Sequence, residues 1–362
     1  MTITPKHNSA TGLETRHVFL DTEVFRRYGH NLNDKVLQTF LKQIKDHICT
    51  SHTTDITLSE IRRQIEEMSA EVAQAVNKGN KELRRWLAAR TWKSTVTNAN
   101  PDVDAAGLAK DALLQFNFGI RMDWKPIEHM ATNVPAKDVF DAYFRRDPPF
   151  DRVDSKEFPD AFVVMALDRW CKNKSEKMYV ITKDRAMLRA VEKTDTLIPV
   201  GTLDEFLEII VEAQHPTILN KVQNIFDSAA WNKIDERVRD QIGQLGTVYT
   251  GSLHDGEVID HEPGDAIIEL IDFNVISASE DQIEVVAKVR VPVKFDVQYL
   301  DTDSAWWDSE EKEFIGGDSE VATYDAEVVI SLLVIIDAND EIIDVDILTR
   351  DLRLEEPYED YK

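Results

Sequence analysis

The feature that most constrains this chain is a set of four acidic residues, each placed just after a short apolar run. His17-Val18-Phe19-Leu20 leads into Asp21, Ile56-Thr57-Leu58-Ser59 into Glu60, Phe158-Pro159 into Asp160, and Met178-Tyr179-Val180-Ile181-Thr182-Lys183 into Asp184. If the runs are strands of a parallel sheet, the carboxylates at their ends converge in the crevice outside the carboxyl edge, where open α/β sheets bind ligands. A carboxylate cluster without Cys or His suits a hard cation such as Mg²⁺ or Mn²⁺. Acids at strand ends and helix N-termini also arise from capping alone, so it is the ordered set, not any single member, that points to a metal site.

Four local wordings accompany the acids: Phe19-Leu20-Asp21-Thr22, Thr57-Leu58-Ser59-Glu60, Pro159-Asp160-Ala161 opening an apolar helix, and Val180-Ile181-Thr182-Lys183-Asp184-Arg185. In this order they resemble the PIN-domain nucleases, over roughly the first 210 residues. Glu23 stands where that family usually has Asn, and Ala186 and Met187 replace its frequent Asp-Phe; neither change removes one of the four acids. The resemblance implies an α/β fold with a parallel sheet and helices on both faces. It also implies metal-assisted phosphodiester hydrolysis, with Asp21, Asp160 and Asp184 as catalytic metal ligands and Glu60 either ligating or holding a water on the cation. Thr182 would orient Asp184 or a phosphate, and Glu23 is open between a further ligand and a solvated side chain. RNA is the expected substrate, with single-stranded DNA as the other choice. A toxin or defence role follows by analogy, and a homo-oligomer is a further expectation.

A length of 362 residues exceeds the usual single domain, and the charge divides the chain in two. Residues 1–215 carry 31 Lys+Arg against 32 Asp+Glu, whereas the remainder carries 11 against 35. The overall charge of −25 would argue against nucleic acid, but the footprint has to be read per domain, and the first part is balanced. The expected organisation is a nuclease-like domain at 1–215 with a helical insertion at about 81–147, a helical linker at 216–250, and an acidic β-rich domain at 251–362. An acidic β domain suits a basic protein partner, with solubilising charge alone as the other reading.

The spacing predicts helices from Asp34 to His47, after a Ser59 cap along Ile61, Ile65, Met68, Val72 and Val76, and from Asp160 along Phe162, Val163, Ala166, Leu167 and Trp170. Thr196–Val200 reads as a strand and Leu203–Val211 as a helix. From Val285 to Tyr299 every odd position is apolar, the period of one long half-buried strand. Further strands are expected at Ala266–Ile276, Ala326–Ile336 and Glu341–Leu348, in a mainly antiparallel sheet.

Two basic runs could meet phosphates. Lys81–Lys93 interleaves Lys81, Arg84, Arg85, Arg90 and Lys93 with Trp86 and Trp92; the second run holds Lys172, Lys174, Lys177, Lys183, Arg185 and Arg189. Lys183 and Arg185 flank an expected ligand and have the better claim. The nine histidines show no HExxH or His-Cys grouping, so zinc is not expected. Neither a P-loop nor a GxGxxG fingerprint occurs. Trp306 and Trp307, in an acidic stretch, suggest local packing or a protein-binding spot.

Met1 to Thr15 is polar, no apolar run spans a bilayer, and Cys49 and Cys171 lack a ligand spacing, so a cytoplasmic protein with reduced thiols is expected. Two other functions stand beside the nuclease. Leu20-Asp21-Thr22-Glu23-Val24 loosely matches the nucleophile motif of haloacid-dehalogenase-like phosphatases, except that Glu23 replaces its second Asp. The third is a non-catalytic binding module using the acidic domain.

Overall fold

The computed structural model describes residues 13–88, 101–152, 157–308 and 313–355. The chain forms two compact units, one ending at Phe206 and the other starting at Leu207.

The first unit is built on a five-stranded parallel sheet of order β3-β2-β1-β4-β5. The strands are β1 (His17–Leu20), β2 (Thr50–Thr54), β3 (Ile127–His129), β4 (Met178–Ile181) and β5 (Leu197–Val200). Between them run α1 (Thr22–Arg27), α2 (Lys35–Lys45), α3 (Asp55–Ala88), α4 (Ala105–Gly119), α5 (Ala136–Arg145), α6 (Phe158–Lys174) and α7 (Arg185–Val191), and α8 (Leu203–Gln214) follows. Alternation in the central strands sorts their side chains between two layers. Phe19, Met178 and Val180 pack with Val163, Val164 and Leu167 of α6 and Met187, Ala190 and Val191 of α7. On the other face Tyr179 meets Phe206 of α8, which meets Phe40 of α2. This is the parallel α/β architecture with helices on both faces.

The order of elements departs from expectation around Glu60. Ile56–Ser59 is not a strand but the first turns of α3, and the strand of this region is Thr50–Thr54, a segment without an aliphatic residue. Its β-branched threonines suit a pleated ladder, and the strand is buried from Ser51 to Thr54. Ser59 does not cap α3. Thr54 does, its Oγ1 accepting from the Thr57 N–H at 3.0 Å, while the Ser59 hydroxyl donates to the Asp55 carbonyl at 2.7 Å inside the helix. The stretch expected as a helical insertion contributes β3 to the sheet edge, parallel to β2.

In the second unit, β9 (Gln282–Leu300) and β12 (Ser319–Asp337) pair antiparallel over their full 19 residues, from Leu300↔Ser319 to Gln282↔Asp337. Counting in chain order, β6 (Gly246–Tyr249), β7 (Glu257–Pro263), β8 (Glu269–Ala278), β10 (Trp306–Asp308), β11 (Glu313–Ile315), β13 (Ile342–Ile347) and β14 (Asp351–Leu354) complete the strands. The odd residues of β9 from Val285 to Val297 are buried, and the cationic Lys288, Arg290 and Lys294 face acids of β7, β8 and β12. The segment expected as a linker holds α9 (Ile218–Phe226) and α10 (Trp231–Ile242), whose Val222, Phe226, Ile234 and Val238 share one core with β9 and β12. A helix with such an apolar face has to bury it, which makes these two helices part of the second unit. Trp306 and Trp307 sit on the β10–β11 ribbon, Trp307 against Phe314, with Trp306 69% exposed, so local packing does not cover it.

Candidate active site

β1 and β4 are neighbours, and both end at the same edge. The Asp21 N–H donates to the Ile181 carbonyl at 3.1 Å, carrying the pairing one residue beyond the strands. Asp21 then caps α1, its Oδ1 accepting from the Thr22 N–H at 2.6 Å. Its Oδ2 accepts from the Thr182 hydroxyl at 2.7 Å, and the same Thr182 oxygen accepts from the Asp184 N–H at 3.0 Å. Thr182 is fully buried, so its side chain fixes two of the four acids at once. Asp184 in turn caps α7, with Oδ1 accepting from the Ala186 and Met187 N–H groups at 2.7 and 2.8 Å. Glu23 reaches across from α1 and accepts from the Lys183 N–H at 3.2 Å, tying the β4 loop to the first helix.

Glu60 lies in the second turn of α3 and Asp160 in the first turn of α6, just after Pro159. The four acids arrive from four elements, and their charges reach one another. Burial, followed by Asp21, Asp184, Glu157 and Glu60, pushes the Asp160 carboxyl up to about 8. Burial also raises Asp21, against the hydrogen bonds from Thr182 and Thr22, and burial then Asp21 raise Glu60. The sequence reading did not include Glu157, whose only signal was its place three residues before Asp160.

A hard divalent cation fits this donor set, which consists of carboxylate oxygens that repel one another. Among the described residues, no three His, Cys, Asp or Glu side chains stand close enough as they lie to hold an ion between them. The donor chemistry therefore matches a cation, while a closed ligand cage is not formed.

Of the second basic run, Lys172 pairs with Asp168, Lys177 with Glu14, and Arg189 with Asp151 at 2.6 Å. Lys183 and Arg185 are exposed on either side of Asp184. In the first run Arg84 pairs with Asp102 at 2.8 Å and Trp86 is half exposed, whereas Arg90, Trp92 and Lys93 lie outside the described residues.

The histidines do form a group that no local motif announces. His17 of β1, His52 of β2 and His129 of β3 stand in a row across three strands, with N···N distances of 2.9 and 2.8 Å, and Trp170 of α6 lies against all three rings. Burial, then His129 and His17, pushes His52 down to about 3, so the middle ring of the row is uncharged near neutral pH, and burial lowers His17 and His129 as well. Cys49 and Cys171 are free and buried, and no helix among the described residues is long and apolar enough to cross a membrane.

The first unit is thus a parallel α/β sheet with four acids gathered at its carboxyl edge. In a comparison with protein families, residues 18–187 match the PIN domain, a nuclease-type fold. Enzymes of this type are usually metal-dependent nucleases. No curated protein and no solved structure matches the chain.

Proposed function

We propose that this protein is a metal-dependent endonuclease acting on RNA, with single-stranded DNA as the alternative substrate, and that Asp21, Glu60, Asp160 and Asp184 form its catalytic centre. The observation that carries the reading is the convergence of these acids from α1, α3, α6 and the β4 loop, with Thr182 bonded to two of them, inside residues that match the PIN domain. The cation is Mg²⁺ or Mn²⁺, since small hard ions prefer carboxylate oxygens and engage substrate phosphates. When bound it supplies Lewis acidity toward the phosphate and compensates its charge.

The residues of the chain do the rest. Thr182 holds Asp21 and the Asp184 backbone in a fixed relation, and the caps at α1 and α7 keep the carboxylates of Asp21 and Asp184 in place. Asp160, whose carboxyl keeps its proton near neutral pH, gives it up once a cation balances the cluster. Lys183 and Arg185 offer positive charge beside Asp184 to a phosphate backbone. The second unit, with 11 basic and 35 acidic residues after position 215, is poorly suited to phosphates and suits a basic protein partner. A toxin or defence effector of the cytoplasm is the biological setting this reading favours.

The test is incubation of the full chain with defined RNA and single-stranded DNA in Mg²⁺, in Mn²⁺ and in EDTA. Cleavage of RNA in metal and none in EDTA is expected. Hydrolysis of a phosphomonoester without strand cleavage would replace the reading with a phosphatase, and inactivity toward both would favour a binding module.

A further inference from the structure

β12 is paired along its whole length on one side and only near its end on the other. β9 takes Ser319–Asp337, whereas β13 reaches only Leu332 to Ile336. The direction of the backbone groups that remain follows from Pro292 of β9. It faces Glu327 across the ladder, has no N–H, and turns its carbonyl away from β12 to accept from the Gly264 N–H at 2.8 Å. Pro292 and Glu327 are therefore a pair without mutual hydrogen bonds, and the N–H and C=O of Glu327 point away from β9. By the two-residue period, those of Val321, Thr323, Asp325 and Val329 do the same. Ser331 continues the series and shows what such groups take where a neighbour is present. Its carbonyl accepts from the Leu348 N–H at 2.8 Å, and its N–H donates to the Thr349 hydroxyl at 2.9 Å. From Val321 to Val329, no strand pairs with the outward groups among the described residues.

This edge lacks the devices that usually keep a strand from pairing. β12 contains no Lys, Arg, Pro or Gly, and its ladder with β9 runs without a bulge. What it carries is negative charge. Glu320 accepts from the Tyr299 hydroxyl, Glu327 lies 3.4 Å from Arg290, and Asp325 pairs with no cation among the described residues. On the outer face Val321, Thr323, Asp325, Glu327 and Val329 are exposed; on the inner face Ala322, Tyr324 and Ala326 are half-buried. A second copy laid antiparallel on the same edge and centred there sets Asp325 against its own counterpart, and like charges directly opposite are destabilising. A strand with cations on its outer face and apolar side chains on its inner face meets no such repulsion.

We propose that the Val321–Val329 edge of β12 is the docking site for an extended basic segment of a partner protein, which adds a strand to the sheet. The site spans about 27 Å, at roughly 3.3 Å per residue. Main-chain hydrogen bonds to the outward N–H and C=O groups supply affinity, and the alternating side chains supply selectivity. Lys or Arg lies over Asp325 and Glu327, and apolar residues cover Ala322, Tyr324 and Ala326. The inference names a site for the basic partner proposed above for the second unit; it rests on that reading and not on the nuclease chemistry.

Fluorescence anisotropy of a labelled nonapeptide of alternating Lys and Val, with Lys at both ends, titrated with the full chain tests this, beside the same design with Glu in place of Lys. The basic peptide is expected to bind, more weakly as salt rises, and the acidic one not to bind. Thr323→Pro removes an outward N–H and no bond to β9, so the variant, its fold checked by thermal midpoint, should lose about 10-fold or more in affinity. Asp325→Asn combined with Glu327→Gln should lose about 3- to 10-fold. Hydrogen exchange followed by NMR should slow at the amides of Val321, Thr323, Asp325, Glu327 and Val329 when the basic peptide is added. Undiminished binding to folded Thr323→Pro, or unchanged exchange at those amides, overturns this edge as the site and leaves the second unit a basic partner elsewhere. Binding of neither peptide, or of both alike, overturns the basic partner as well. A concentration-dependent dimer of the chain alone that Thr323→Pro dissociates overturns the inference and assigns the edge to a second copy. The assay contains neither metal nor nucleic acid, so its outcome is separate from that of the cleavage test.

Discussion

Asp160 shows most plainly how single residues are tuned here. Its carboxyl titrates near 8 in the fold against 3.8 for the ordinary value, because it is buried beside other carboxylates. Since the fold favours its protonated form, the associated stability is complete below pH 3.8 and is lost as pH rises through about 8. Asp160→Asn should therefore raise the melting temperature of the metal-free protein at pH 8.5 and leave it unchanged near pH 3.5. An equal shift at both pH values would mean that the charge cluster is not the cause. The same substitution, and Asp21→Asn, should lower cleavage at least ~100-fold, since each removes a ligand oxygen and a charge. Wild-type rates in both would remove these two acids from the centre. Thr182 acts through its neighbours: Thr182→Val should cost about 10- to 100-fold in cleavage, and Thr182→Ser, which keeps the hydroxyl, should recover most of it.

At the scale of elements, β1, β2 and β3 share the histidine row, and this makes the sheet acid-sensitive. His52 titrates at about 3 in the fold and near 6.5 when unfolded, so the unfolded chain takes up its proton first. Stability from this group is full above pH 6.5 and falls as pH drops toward 3. His52→Gln should reduce the stability lost across that range by about 2–4 kcal/mol, measured by urea unfolding at a series of pH values. Identical pH slopes in the two proteins would show that the row is not the acid-labile element. The turn from β4 into α7 carries Lys183 and Arg185. Replacing both with Ala should weaken RNA binding evenly across sequences and reduce the slope of log affinity against log salt by about 1.4, the value for two phosphates on a single strand. A variant with the wild-type slope would take both side chains off the phosphate backbone.

At the scale of the whole molecule, the two units have separate cores. One is built around Phe19, Val180 and Leu167, and the other around the buried faces of β9, β12, α9 and α10. Calorimetry of the full chain should resolve two unfolding transitions, and Mg²⁺ should raise only the one belonging to the first unit. A single transition that moves as a whole with Mg²⁺ would show that the units unfold together. Their charges differ as much as their folds do. The balanced first unit is compatible with a nucleic-acid ligand, and the acidic second unit with a basic partner.

Much of this was legible in the residues themselves, for reasons of period and order. The two-residue alternation of Val285–Tyr299 fixes a strand with one buried face, and β9 runs from Gln282 to Leu300. The apolar runs before Asp21 and Asp184 are strands of the parallel sheet, because buried parallel strands are continuously hydrophobic. Period and order fail where packing outweighs composition. Thr50–Thr54 has no aliphatic side chain, yet it is a buried strand because its neighbours in the sheet satisfy its backbone and the Thr54 hydroxyl pairs with that of Thr57. His17, His52 and His129 are up to 112 positions apart, and only the lateral register of three strands brings them together. A cavity lined by His30, Met68, Phe116 and Trp124 is likewise a product of tertiary contact, since these residues are far apart in the chain. Local sequence determines the elements whose period is strong, such as β9 and α2, and which segments carry charge. Distances between groups far apart in the chain, and the titration and hydrogen bonding that depend on them, are set by the packing of the folded chain alone.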